Sequence, residues 1–84
     1  MQGKIALVTG ATRGIGRAVA EELVSKGAFV IGTATSEKGA ESISAYLGDK
    51  GKGLVLNVAD QASIDAVLEQ IKQEFGDIDI LVNN

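Results

Sequence analysis

The stretch Thr9-Gly10-Ala11-Thr12-Arg13-Gly14-Ile15-Gly16 decides how this chain folds. Its glycines follow the spacing G-x3-G-x-G, and they lie between a short apolar run and an amphipathic pattern. Gly10 permits the backbone angles of a tight turn, and Gly14 leaves the backbone accessible to a ligand. Gly16 permits close packing of a helix that begins near Ile15. The stretch therefore predicts a strand, a glycine-rich turn and a helix in succession.

The start of that helix predicts a phosphate-binding site around Gly14 and Ile15. The first N–H groups of a helix have no partner within the helix, and the helix dipole favours an anion beside them. A glycine-rich turn on its own also fits a purely structural role. Its place between a buried strand and a helix favours binding of a dinucleotide phosphate.

Strand and helix patterns alternate along the rest of the chain. Continuous apolar runs at residues 5–8, 29–31 and 54–56, and at 78 with 80–82, predict four strands of a parallel sheet covered on both faces. Residues at helical spacing predict three helices between them: Ile15, Val19 and Leu23 with Ala18, before Gly27; Ala40, Ile43 and Leu47, after Ser36 and before Gly48; and Ile64, Val67, Leu68, Ile71 and Phe75, after Asp60 and before Gly76. Ser36 and Asp60 are the expected N-terminal caps.

This β-α-β-α-β-α-β pattern predicts an α/β fold, a Rossmann-type doubly wound parallel sheet. Right-handed crossovers give the strand order 3-2-1-4, with the binding crevice at the carboxyl ends of strands 1 and 4. The fourth strand would be an exposed apolar edge, which favours aggregation. We therefore expect residues 1–84 to be the dinucleotide-binding, N-terminal part of a single Rossmann domain in a longer protein, without its catalytic remainder.

Composition excludes several classes of function. The chain has no cysteine and no histidine, so it offers no disulfide, no soft-metal site and neither residue as a nucleophile or general base. Its net charge of −3 argues against a nucleic-acid partner. No apolar run approaches the length that spans a membrane. We expect a cytoplasmic protein that binds neither nucleic acid nor membrane.

Two motifs connect the chain to a known family. Residues 9–16 resemble the TGxxxGxG signature of the short-chain dehydrogenase/reductases, and the similarity extends over the whole chain. Leu81-Val82-Asn83-Asn84 looks like the start of that family's N-N-A-G motif. Residues 31–57, with Gly-Thr-Ala-Thr-Ser and Tyr-Leu-Gly, are similar to the bacterial members that act on 3-oxoacyl groups carried by acyl-carrier protein.

The resemblance implies an NADPH-dependent reductase that delivers hydride to the 3-keto group of an acyl chain on acyl-carrier protein in fatty-acid synthesis. It also implies a homo-oligomer and a Ser-Tyr-Lys catalytic set. We expect none of that set to lie in these 84 residues. Tyr46 and Lys50 reproduce the Tyr-x-x-x-Lys spacing, but Gly48 ends the helix between them. We therefore expect Tyr46 to be a partly exposed side chain beside a turn.

Nine positions match the family's cofactor site. By resemblance, they are Gly10, Ala11, Thr12, Arg13 and Ile15 in the phosphate turn, Thr35 facing the adenosine ribose, Asn57 and Val58 on the adenine side, and Asn84 near the cofactor ribose. Many relatives have Asp where Asn57 stands, so its side-chain contact with adenine stays open. Asp60 is expected to be only a helix cap, and Asn83 to satisfy backbone groups.

The residues themselves favour NADPH over NADH. NAD-specific sites place an acidic residue about 20 residues beyond the glycine turn, on the ribose 2′-hydroxyl. That position falls near Ala34, and residues 32–36 contain no acid. Arg13, Thr12 and Thr35 are candidates to hold a 2′-phosphate instead.

Three alternatives remain open at this point. Another short-chain reductase could act on a different carbonyl, and a dinucleotide-sensing protein could bind the cofactor without chemistry. A methyltransferase that binds S-adenosylmethionine also uses an α/β sheet. It usually needs an acid at the end of strand 2, which this chain lacks.

Overall fold

A computed structural model describes residues 2–84 and shows strands and helices in alternation. The strands are β1 (Ile5–Val8), β2 (Phe29–Ala34), β3 (Gly51–Val55) and β4 (Ile80–Val82). The helices are α1 (Gly14–Ser25), α2 (Glu37–Leu47) and α3 (Gln61–Glu74), and a single 3-10 turn, Gly48–Lys50, joins α2 to β3. The chain therefore has the predicted β-α-β-α-β-α-β order.

The four strands form one parallel sheet in the order β3-β2-β1-β4, which confirms the predicted Rossmann-type α/β fold. At the carboxyl end of β1, Val8 pairs with Gly32 of β2 on one side and with Val82 of β4 on the other. The chain moves outward from β1 through β2 to β3, then crosses back to β4. Strand order thus reverses between β1 and β4, where ligands of such sheets bind.

Helices cover both faces of the sheet. One core cluster packs α1 and α2 against β1 and β2. It includes Val8 of β1, Val30 of β2 and Ile43 of α2. A second cluster, which includes Leu7 and Ile71, lies under α3 on the opposite face. Burial of each such aliphatic side chain contributes about 1.5–3 kcal/mol. This two-sided cover explains why the strands are continuous apolar runs.

The helix caps confirm the predicted boundaries. Ser36 Oγ accepts a hydrogen bond from the Gly39 N–H at 3.1 Å and begins α2. Asp60 Oδ1 accepts one from the Ala62 N–H at 3.0 Å and begins α3. Gly48, with φ +60°, follows the last residue of α2. Asp60 is therefore a helix cap, as expected.

Two predicted helix faces and three strand boundaries were wrong in detail. Ile15 is 75% exposed and Ala18 is exposed, because α1 turns its small residues Gly16 and Ala20 toward the sheet. Leu68 of α3 is 41% exposed, although the helical spacing had placed it on the buried stripe. The strand differences are as follows: β2 continues to Ala34, β3 begins at Gly51 and β4 begins at Ile80.

Within residues 2–84, none of the helices combines the length and the apolar character needed to cross a membrane.

Candidate dinucleotide-binding site

A cleft of about 260 Å³ opens at the carboxyl ends of the strands. The last residues of β2 and the segments that follow all four strands contribute to it. Its lining residues are Thr9, Gly10, Thr12, Thr33, Ala34, Thr35, Leu56, Val58, Asn83 and Asn84. None of these lining residues of the described chain carries a charge, so hydroxyl, amide and backbone groups supply the polarity. The cleft coincides with the point where strand order reverses.

The glycine-rich turn has the backbone that its sequence requires. Gly10 and Gly14 have φ of +63° and +64°, which side chains with a Cβ rarely adopt. A Cβ on Gly14 would meet no atom within 4 Å, so the backbone there is open to a ligand. A Cβ on Gly16 would lie 2.1 Å from the Gly10 carbonyl oxygen. Gly14 thus leaves room for a phosphate, and Gly16 allows α1 to begin against the turn.

The N-terminus of α1 has free donors at this turn. Arg13 is the N-cap residue in an extended conformation, and its side chain makes no capping hydrogen bond. The first turn of α1 contains no acidic residue that would oppose an anion. Its leading N–H groups therefore remain available, and the helix dipole favours a negative group beside them.

Thr9 connects the glycine-rich turn to the end of β4. Its hydroxyl accepts from the Asn84 N–H at 2.9 Å and donates to Asn83 Oδ1 at 3.1 Å. The Asn84 side-chain amide donates to the Gly10 carbonyl at 3.1 Å. Asn84 therefore supports the turn itself. Asn83 was expected to satisfy backbone groups, and instead its side chain pairs with a hydroxyl 74 residues away.

The Ala11 peptide is held by two neighbouring elements. Ala11 is fully buried, and its N–H donates to the Thr33 carbonyl of β2 at 3.0 Å. The Ala11 carbonyl accepts a hydrogen bond from the Tyr46 hydroxyl of α2. The Arg17 guanidinium lies 4.4 Å from the centre of the Tyr46 ring. Ala11 is thus attached to β2 and α2, and Arg17 of α1 in turn contacts the Tyr46 ring.

Tyr46 lies in the last turn of α2 and is half-buried. Burial raises the pKa of its phenol above the ordinary value, with a smaller opposing effect of Arg17 and a further rise from Glu21. The phenol is therefore a hydrogen-bond donor at neutral pH. Lys50 lies in the separate 3-10 turn, so the two residues do not share a helix face, as the sequence predicted.

The structure brings five of the nine candidate cofactor residues to the cleft lining: Gly10, Thr12, Thr35, Val58 and Asn84. Arg13 and Ile15 are exposed at the start of α1, beside the cleft, and Ala11 is buried behind the turn. Asn57 Oδ1 accepts from the Ala59 N–H at 3.0 Å, so that oxygen is engaged within its own loop.

Sequence reasoning missed two polar residues that shape the site. Thr9 is 8% exposed and organises the ends of β1 and β4, although its motif position was a signal. Tyr46 was interpreted only as a partly exposed side chain beside a turn. Its proximity to Ala11, 35 residues earlier, depends on how α2 packs on the sheet, and no local pattern reports it.

Comparison with known proteins supports the resemblance seen in the sequence. The family model for short chain dehydrogenases matches residues 4–84. The 3-oxoacyl-(acyl-carrier-protein) reductase of Haemophilus influenzae is 86% identical over 84 residues, which are all of this chain and 35% of that protein. The proteins of the same name in Salmonella typhimurium and Escherichia coli are 72% and 71% identical over 83 residues, 99% of this chain and 34% of each relative. The chain therefore spans about a third of the length of these relatives.

Proposed function

The chain belongs to the short chain dehydrogenase family, and from that premise we propose that it is the N-terminal, cofactor-binding part of an NADPH-dependent 3-oxoacyl-(acyl-carrier-protein) reductase. Relatives at 71–86% identity are named 3-oxoacyl-(acyl-carrier-protein) reductases, which supports this substrate class. The observation that carries the cofactor proposal is the turn from β1 to α1, where Gly14 is open and the helix N–H groups are free. This geometry suits a dinucleotide phosphate at the point of strand reversal.

The residues present fit NADPH in particular. β2 ends with Thr33 and Ala34 and is followed by Thr35, and none of these residues carries a carboxylate that would repel a 2′-phosphate. The nearest acid beyond it, Glu37, belongs to the first turn of α2. Arg13 is exposed beside the cleft and can offer two donors to phosphate oxygens at once.

Seven of the nine candidate residues have a proposed task in binding, and the other two, Gly10 and Ala11, form the turn that carries them. The N–H groups around Gly14 and Ile15 bind the pyrophosphate, while Arg13, Thr12 and Thr35 bind the 2′-phosphate. Val58 packs against the adenine, with the backbone or free amide of Asn57 at its edge, and Asn84 supports the turn near the ribose. When bound, NADPH would supply the hydride, and the proton donor would come from residues outside this chain.

The proposal extends to the partners of the whole protein. Acyl-carrier protein with its acyl group is the proposed substrate, as in the names of the relatives. We further propose a homo-oligomer in the cytoplasm that binds neither nucleic acid nor membrane. The net charge of −3 supports the exclusion of nucleic acid.

Replacement of Arg13 by alanine tests the cofactor proposal in the full-length protein. A hydrogen bond to a charged group contributes about 1.5–3 kcal/mol, which corresponds to roughly 10- to 150-fold in affinity. Arg13→Ala should weaken NADPH binding by that factor and change NADH binding far less. Isothermal titration with each cofactor measures both constants. Lys72→Ala is the matched control, because it removes an exposed cation from the last turn of α3.

Two outcomes would contradict the proposal. Equal losses of both cofactors in Arg13→Ala would assign Arg13 to the shared pyrophosphate or to the fold. Wild-type protein that binds NADPH tightly but does not oxidise it with a 3-oxoacyl-(acyl-carrier-protein) would contradict the substrate assignment. Turnover of another carbonyl would then identify a different short-chain reductase, and no turnover at all would identify a dinucleotide-binding protein without chemistry.

A further inference from the structure

Tyr46 contacts the phosphate turn from a distant part of the chain. Its hydroxyl donates to the Ala11 carbonyl, and it is the only tyrosine in these 84 residues. The hydrogen bond joins the last turn of α2 to the segment that directly precedes Thr12 and Arg13. The proposed function gives Tyr46 no task. The residue that accepts its hydrogen bond, however, directly precedes the two residues assigned to the 2′-phosphate.

The Ala11 peptide has little freedom apart from this bond. Its N–H is bonded to the Thr33 carbonyl at 3.0 Å, and its side chain is fully buried. A Cβ placed on Gly32 would lie 2.8 Å from the Ala11 Cβ, so β2 passes directly beneath it. Thr33 and Tyr46 therefore fix opposite ends of one residue. Because Thr12 follows directly, its direction depends on the orientation of the Ala11 carbonyl.

Helix α2 also contacts Thr12 itself. A Cβ on Gly39 would lie 3.0 Å from Thr12 Cγ2, so the first turn of α2 packs closely on that side chain. Tyr46 lies two turns further along the same helix. Arg17 of α1 covers the Tyr46 ring and forms an exposed ion pair with Glu21 at 3.5 Å. The ring is thereby held between the two helices that border the turn.

We infer that Tyr46 is a positioning residue that determines cofactor preference: its bond to the Ala11 carbonyl orients Thr12 and Arg13 toward the 2′-phosphate. The inference rests on the proposed NADPH function and deepens it. The proposed pyrophosphate site includes the N-terminus of α1, where Gly16 packs against the Gly10 carbonyl and that carbonyl accepts a hydrogen bond from the Asn84 side-chain amide, so this part of the turn has contacts that do not involve Tyr46. Loss of the Tyr46 hydroxyl therefore affects the 2′-phosphate more than the part shared by both cofactors.

Tyr46→Phe in the full-length protein tests this inference, because it removes the hydroxyl and keeps the ring. Loss of one neutral hydrogen bond corresponds to roughly two- to tenfold in affinity. We expect NADPH affinity to fall by that factor and NADH affinity to fall by less than about twofold. The measurements are both dissociation constants by titration and the urea midpoint of unfolding.

Ser44→Ala is the matched control on the same helix. It removes the bond from the Gly53 N–H to Ser44 Oγ, 2.8 Å, which joins α2 to β3 away from the glycine-rich turn. We expect a lower urea midpoint and an unchanged NADPH-to-NADH affinity ratio. A similar ratio shift in both variants would show that α2 acts only through general stability, and the inference would fail.

The remaining outcomes distinguish failure of the Tyr46 inference from failure of the proposed NADPH function. Tyr46→Phe that binds NADPH like the wild type, or that loses both cofactors equally, overturns the inference and leaves the proposed function intact. Wild-type protein that does not bind NADPH overturns both.

Discussion

Gly16→Ala should loosen the cofactor turn and destabilise the fold, although helix propensity alone predicts the opposite. Alanine is favoured over glycine by about 1 kcal/mol inside a helix, and Gly16 is the third residue of α1. Its Cβ, however, would lie 2.1 Å from the Gly10 oxygen and 2.8 Å from Asn84 Nδ2. Ordinary contacts between carbon and a carbonyl oxygen are about 3.3–3.6 Å. The Gly10 carbonyl must therefore move by more than about 1 Å.

The energetic effect has two parts. Overpacking in a closely packed site costs about 1–3 kcal/mol. Displacement of the Gly10 carbonyl also breaks its hydrogen bond from Asn84, which contributes about 0.5–1.5 kcal/mol. These losses exceed the gain in helix propensity, so we expect a net destabilisation of about 0.5–3.5 kcal/mol. A whole domain is stable by only about 5–15 kcal/mol.

Urea unfolding and NADPH titration of the full-length protein measure both consequences. We expect a lower midpoint and a loss of NADPH affinity of at least about tenfold, since the displaced carbonyl belongs to the phosphate turn. Gly48→Ala is the control: Gly48 has φ +60° and open space around its Cβ, and it is not among the residues that line the cleft. It should lower the midpoint through backbone strain of about 1–3 kcal/mol and leave NADPH affinity unchanged. A Gly16→Ala protein with wild-type or higher stability and wild-type affinity would refute the steric reasoning.

Three further results are expected. Thr35→Asp should shift preference toward NADH, because a carboxylate at the end of β2 repels a 2′-phosphate and accepts from a 2′-hydroxyl; an unchanged ratio of dissociation constants would place the ribose elsewhere. Asp60→Ala should lower the urea midpoint by the equivalent of about 0.5–2 kcal/mol, because the bond to the Ala62 N–H is lost. The ratio of dissociation constants should not change, and an altered ratio with an unchanged midpoint would contradict the capping role. The 84 residues alone should not oxidise NADPH in the presence of a 3-oxoacyl substrate, and substrate-dependent oxidation, followed by absorbance, would mean that side chains assigned here to structure perform chemistry.

Local physical rules account for the parts of the fold that could be predicted from the sequence. Ser36, Asp60 and Gly48 end or begin helices through contacts within a few residues, so their roles are visible in the sequence. Four apolar runs predicted four strands, and the constant handedness of crossovers then left the order β3-β2-β1-β4. The glycine spacing likewise predicted the turn, because positive φ at Gly10 is a property of the single residue.

Only the tertiary structure decided which distant groups meet. The bonds of Thr9 with Asn84 and of Tyr46 with Ala11 span 75 and 35 residues, and they depend on the packing of whole elements. Two residues of the predicted inward face of α1, Ile15 and Ala18, are exposed for the same reason, whereas Val19 and Leu23 pack against the core as predicted. The sequence by itself determined that a glycine-rich turn joins the first strand of a parallel sheet to the first helix. The supports of that turn come from β2, α2 and the end of β4, because a periodic pattern specifies an element but not the angle at which it packs.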